Sequence, residues 1–149
     1  MLFRSTRSPC CRGKSEDTKI MKPLEGVFVL DFSTLLPGPM ATLMLAEAGA
    51  EVVKVEAPPK GEGMRSYVPQ WGPYSINFAL LNRGKKSLSV DLKDKAQLDK
   101  LMTLVTRADV IVEQFRPGVM ARLGLGFEAV SKINPKIIYC SIKIGRAHV

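Results

Sequence analysis

Three short stretches hold the residues best placed to do chemistry. Leu35-Leu36-Pro37-Gly38-Pro39 leaves an apolar run and enters a segment of small residues. Amides at a helix start lack intrahelical partners and face the positive end of the helix dipole, so such a turn can hold an anion. It can equally be no more than a tight strand-to-helix connection. Gln114-Phe115-Arg116 closes a second apolar run and offers an aromatic face and a guanidinium, with Arg122 about a turn and a half further on. The alternative there is a core phenylalanine with two solvated arginines. Asn82-Arg83-Gly84-Lys85-Lys86-Ser87 adds cations ahead of a third run. Together these stretches suit a ligand with several phosphates.

Acid–base and nucleophilic groups are harder to place. Asp31 ends the first apolar run, as a catalytic carboxylate or as a cap on the next turn. Glu56 and Glu113 stand at matching positions after other runs, with nothing to show that they converge. The single histidine, His148, lies in the last residues, and there is neither a Ser-His-Asp set nor HExxH. No catalytic residue is assigned. Cys10 and Cys11 are adjacent, Cys140 is distant and CxxC is absent, so neither a metal site nor a disulfide framework is expected. A reducing, cytoplasmic setting is the default.

The net charge of +8 raises the question of nucleic acid. Much of it sits at the ends, +3 within residues 1–20 and +2 within 143–149, leaving +3 over 21–142. No basic stripe interleaved with aromatics appears, so no nucleic-acid partner is expected. No run approaches the roughly 18 apolar residues of a membrane span, and no membrane association is expected either. Residues 1–20 lack hydrophobic periodicity and read as a disordered or non-native extension, with Met21 as the natural start. Their Arg and Ser content leaves a mitochondrial transit peptide as the alternative, against the acidic pair Glu16-Asp17.

The elements that must position these residues follow from periodicity. Strands are predicted at 27–32, 50–57, 87–92, 109–115 and 136–142. Helices are predicted at 40–48, at 76–82, from the cap Asp94 to Ala108, in a short piece opened by Pro117, and at 127–133. Apolar strands alternating with helices predict an α/β fold, a parallel sheet with helices on both faces. Ligands then bind at the carboxyl ends of strands, which singles out loops 33–39, 57–73 and 114–118.

PLEGVFVLDFS, LLPGPMATLMLAEAGAEVVKVE, LNRGKKSLSVDLK and ADVIVEQFRPGVMARLGLGFEAVSKINPKIIYCSI, taken in order, resemble the family III CoA-transferases. That family includes formyl-CoA transferase, the carnitine-type CoA-transferases and α-methylacyl-CoA racemase. The resemblance runs from about Pro23 to Ile142. It implies that residues 21–142 are the N-terminal part of a large Rossmann-like domain completed by distant C-terminal chain. It also implies two ring-shaped subunits interlocked as a homodimer, with acyl-CoA and a carboxylic acid acceptor as substrates.

Coenzyme A then becomes the expected polyanion. On the formyl-CoA transferase pattern, Leu36 and Pro37 fall at the first turn and Ala57 just after the second strand. Val90, Asp91, Leu92 and Lys93 form a third contact segment. Gln114, Phe115 and Arg116 form the strand-end contact, with Val119 and Arg122 on the following helix. Leu36 replaces the glutamine that formyl-CoA transferase uses near the reacting thioester, which argues against oxalate/formyl chemistry. Ala57 replaces a frequent arginine. The LPGP turn is closer to the racemase-like and broader acyl-CoA transferase branches.

In the family's transferases an aspartate attacks the acyl-CoA to give a mixed anhydride; in its racemases a histidine and an aspartate handle the α-proton. Both are expected beyond these 149 residues. The expectation is therefore the CoA-binding portion of an acyl-CoA:carboxylate CoA-transferase, inactive and poorly folded as written. A racemase-like fragment and a non-catalytic CoA- or nucleotide-binding module are the alternatives. An NAD-linked oxidoreductase is disfavoured because GxGxxG is missing. The last six residues, IGRAHV, are also what the start of a widely used short-read sequencing adapter encodes. Residues 143–149 are accordingly expected to be adapter read-through, with the gene continuing past Ile142.

Overall fold

The computed structural model describes residues 22–143. The extension expected at residues 1–20 and the adapter-like residues after Lys143 lie outside the described residues. Apolar runs form β1 (Phe28–Asp31), β2 (Glu51–Glu56), β6 (Val110–Glu113) and β7 (Ile138–Ser141), and the more polar KSLS forms the edge strand β5 (Lys86–Ser89); a short hairpin, β3 (Gln70–Trp71) and β4 (Tyr74–Ser75), stands apart. The five longer strands make one sheet in the order β5-β2-β1-β6-β7, with every neighbouring pair parallel. Counted along the chain, the sheet strands run third, second, first, fourth, fifth. That is the order of doubly wound sheets, whose switch point here falls between β1 and β6.

Side chains on each strand alternate between two apolar layers. Leu30, Val53, Val55 and Ile111 pack with Leu101 and Val105 of α3 (Lys95–Val105), Met120 of α4 (Val119–Arg122) and Val130 of α5 (Phe127–Ile133). Val29, Val52 and Val112 face the other way, against Leu45 and Ala46 of α1 (Pro37–Glu47). A sheet covered on both faces explains why its central strands read as continuous apolar runs. The α/β expectation, with a parallel sheet between helices, holds.

Boundaries differ in instructive ways. Helix α1 begins at Pro37, three residues before the predicted start, because proline needs no partner for a missing N–H in a first turn; Met40 N already donates to Leu36 O at 3.0 Å. Asp94 caps α3 as expected, accepting from Ala96 N at 2.9 Å, but the helix ends at Val105. Helix α2 (Ile76–Asn82) matches its predicted span. Strand β5 is shorter than predicted: Val90 N still donates to Glu56 O, after which Asp91 turns the chain by accepting from Lys93 N. The predicted loop 57–73 contains a 3-10 turn (Gly63–Ser66) and the strand Gln70–Trp71, which is paired with Tyr74–Ser75.

Candidate functional site

A cavity of 410 Å³ opens over the carboxyl ends of β1, β2 and β6. Its apolar wall includes Phe32, Val55, Leu92, Phe115 and Leu123, and its polar side includes Ser33, Thr34, Lys54 and Glu62. Four separate segments feed it: the turn after β1, the loop after β2, the turn after β5 and the chain running from β6 into α4. This is the crevice expected beside the switch point of such a sheet.

Most residues singled out in the sequence meet there. Ala57 lines the cavity from the loop after β2, Val90, Asp91, Leu92 and Lys93 from the turn after β5, and Phe115 and Val119 from the far side. Five do not line it. Leu36 and Pro37 are exposed at the start of α1, and Arg116 and Arg122 are exposed around α4. Gln114 is partly buried, and its Oε1 is buried without a hydrogen-bond partner among the described residues.

Beneath the cavity lies a layer of buried charge that sequence reasoning did not anticipate. Period two puts Asp31 and Lys54 on the same face as Val29 and Val52, the side covered by α1. Asp31, with 0% exposure, accepts from the Ser33 amide at 2.9 Å, the Ser33 hydroxyl, Thr42 Oγ1 at 2.6 Å and Lys85 Nζ at 3.2 Å. It is both a turn cap and half of an ion pair. Lys85 Nζ also donates to Pro39 O and Thr42 Oγ1 at 2.8 Å and to Asn82 Oδ1 at 3.0 Å. Burial pulls the Lys85 ammonium below the usual lysine pKa, against the opposing pull of Asp31.

Lys54 Nζ donates to Ser33 O at 2.8 Å and lies 2.6 Å from Glu62 Oε2, a contact that is Coulombic rather than a well-directed hydrogen bond. Glu62 Oε1 in turn accepts the Leu35 amide at 2.5 Å. The Leu35 amide, just ahead of α1, is therefore taken by a carboxylate of the same chain. Leu35 adopts a φ of 63°, a left-handed conformation uncommon outside glycine.

Glu56 and Glu113, at equivalent strand ends, have separate environments. Burial would raise the Glu56 pKa, but the Arg65 guanidinium, the Glu62 amide and the Ser87 hydroxyl together hold it down to about 2. The Arg65 contacts are bidentate, both 2.6 Å, and its guanidinium stacks 3.9 Å over the Phe78 ring. Burial likewise opposes ionisation of Glu113, but Lys143, the Ser141 hydroxyl and the Phe115 amide keep it below the usual carboxylate range. Glu56 lines the cavity, whereas Glu113 turns toward β7. Burial, with the Glu113 charge, pushes Tyr139 up to about 12.

Among the described residues no group of His, Cys, Asp and Glu could hold a metal ion, and no helix is long and apolar enough to cross a membrane.

Residues 24–144 match the sequence profile described as CoA-transferase family III. The chain is 43% identical over 119 residues to acetyl-CoA:oxalate CoA-transferase of Acetobacter aceti, covering 80% of this chain and 31% of that protein. It is 46% identical over 131 residues to succinyl-CoA:glutarate CoA-transferase of Mus musculus, covering 85% of this chain and 29% of that one. Among solved structures it superposes on the hypothetical protein Rv3272 from Mycobacterium tuberculosis with a TM-score of 0.78 and 42% identity, over 86% of this chain and 35% of the other. The chain thus spans about a third or less of the length of these relatives.

Proposed function

This chain belongs to CoA-transferase family III, and on that premise we propose that the cavity over β1, β2 and β6 receives coenzyme A as an acyl-CoA substrate. The observation that carries the reading is convergence. Ala57, Val90, Asp91, Leu92, Lys93, Phe115 and Val119 come from segments far apart in the chain and line one space. Its apolar wall suits the pantetheine arm, and Arg116 and Arg122, both exposed and next in the chain to lining residues of the 115–123 segment, are proposed to meet the phosphates. In this reading Leu36, Pro37 and Gln114 contact the cofactor from the start of α1 and the end of β6.

The whole enzyme is proposed to move CoA from an acyl-CoA to a carboxylic acid acceptor. Its nucleophilic aspartate belongs to chain beyond the part described here, and the 149 residues alone turn nothing over. Exposed apolar side chains support a larger assembly. Leu36, Met40 and Met44 are spaced four apart along α1, and Trp71 and Tyr74 face each other across the hairpin, all open to solvent. They are proposed to be covered by the rest of the chain and by a second, interlocked subunit. Residues 143–149 are proposed to be adapter-derived; a genomic read across codon 142 showing the same seven codons and a stop would rule that out.

The test is calorimetric titration of the full-length enzyme with CoA and, separately, with NAD, followed by an assay of CoA transfer to dicarboxylates. Saturable CoA binding lost in Phe115→Ala is expected, with no NAD binding. Binding of NAD in preference to CoA would replace this reading with a dinucleotide one.

A further inference from the structure

The 57–66 segment does more than line the cavity, because Glu62 sends its side chain back to the β1–α1 turn. Its Oε1 takes the Leu35 amide, and its Oε2 meets Lys54, with both charged side chains only 2% exposed. The Glu62 backbone is anchored as well, its amide donating to Glu56 Oε2 at 2.9 Å. Lys54 closes the circuit by donating to the carbonyl of Ser33, two residues before Leu35. Leu35 is held at positive φ, a conformation that a residue with a Cβ keeps only when its surroundings impose it. Two lining segments distant in the chain, Ser33-Thr34 and Gly61 to Gly63, are therefore cross-tied through one carboxylate.

We propose that Glu62 is a positioning residue for ligand binding: by accepting the Leu35 amide, with Lys54 balancing its buried charge, it holds the β1–α1 turn against the 57–63 segment, and the cavity keeps its binding shape only while that hydrogen bond is made. The ligand named in the test rests on the CoA reading above, whereas the tie itself does not.

Two double variants of the full-length enzyme separate the tie from simple charge burial. Lys54→Met with Glu62→Gln strands no charge and keeps an acceptor for the Leu35 amide. Lys54→Met with Glu62→Ala also strands no charge but removes that acceptor. At a temperature where both are folded, the alanine variant is expected to bind CoA roughly tenfold more weakly than the glutamine variant, the scale of one lost buried hydrogen bond. Hydrogen exchange over residues 33–36, measured without ligand, is expected to be faster in the alanine variant alone. Equal exchange in the two variants, or equal CoA affinity, overturns the proposal. Distinct exchange in an enzyme that binds no CoA upholds the tie and removes the CoA reading instead.

Discussion

Gly38 lies against Ser33 so closely that a Cβ on the glycine would be driven into the serine side chain and brought within 3.0 Å of Gln114 Oε1. The first turn of α1 thus rests on the β1 turn and on the end of β6 at once. Neighbouring prolines explain why the chain turns; the contact with Ser33 explains why the residue between them is glycine. Gly38→Ala is expected to destabilise the full-length enzyme by about 2–3 kcal/mol through overpacking. Gly63→Ala, where an added Cβ meets nothing within 4 Å, is its control and should stay within about 0.5 kcal/mol. Urea midpoints of the two variants decide the matter, and equal midpoints would remove the steric argument.

Lys85 joins the end of β1, the first turns of α1 and the end of α2 through one ammonium. Lys85→Met leaves the Asp31 carboxylate buried without its counter-charge, at an expected cost of about 3–5 kcal/mol. Adding Asp31→Asn should recover much of that loss, since a neutral amide can remain with Thr42 and Ser33. A double-mutant cycle with additive costs would show that the pair is not coupled.

Acid should weaken the fold partly through Glu56. Its folded pKa of about 2 lies below the ordinary 4.5, so its ionised form is favoured by folding. The stabilisation is present above the unfolded value and is lost as pH falls from about 4.5 toward 2, on the order of 3 kcal/mol in all. Glu56→Gln should therefore be less stable than wild type at pH 7 and show a shallower decline over that acid range. Parallel stability curves for the two proteins would refute the assignment.

Arg122 tests the outer part of the proposed CoA site. Arg122→Ala is expected to weaken CoA binding by about 1–3 kcal/mol without moving the melting temperature, because the side chain is exposed. Its contribution should shrink with salt. An unchanged dissociation constant would return Arg122 to the solvated surface.

The strand runs VFVLDF and AEVVKVEA declared the sheet, since β-branched residues on both faces mark strands covered on both sides. Phe115 falls at a strand end for the same reason, whereas Val90 falls inside the predicted strand 87–92 and enters the site only through the family resemblance. Lys54 and Glu62 could not. A lysine amid valines gives no sign of whether it is sealed beneath a helix, and its partner lies eight residues on, in a segment that reads as polar loop. The Glu62–Leu35 contact joins residues 27 apart in sequence, a closeness that only the folded sheet creates. The hairpin of Gln70–Trp71 and Tyr74–Ser75 is too short for alternation to register.

The enclosure of Lys54 has a chemical consequence if the cavity receives an acyl-CoA, as proposed above. An amine attacks an activated acyl carbon only with a free lone pair and a line of approach. Lys54 forms part of the cavity wall, yet its nitrogen is committed to Ser33 O and the Glu62 carboxylate. Prolonged incubation with a reactive acyl-CoA should therefore leave amide adducts on outward-facing lysines such as Lys95 while sparing Lys54, as peptide mass spectrometry would record; early acylation of Lys54 would contradict this. On the proposed reading, the clasp that shapes the crevice thereby also guards it against self-poisoning by an acyl-CoA bound there.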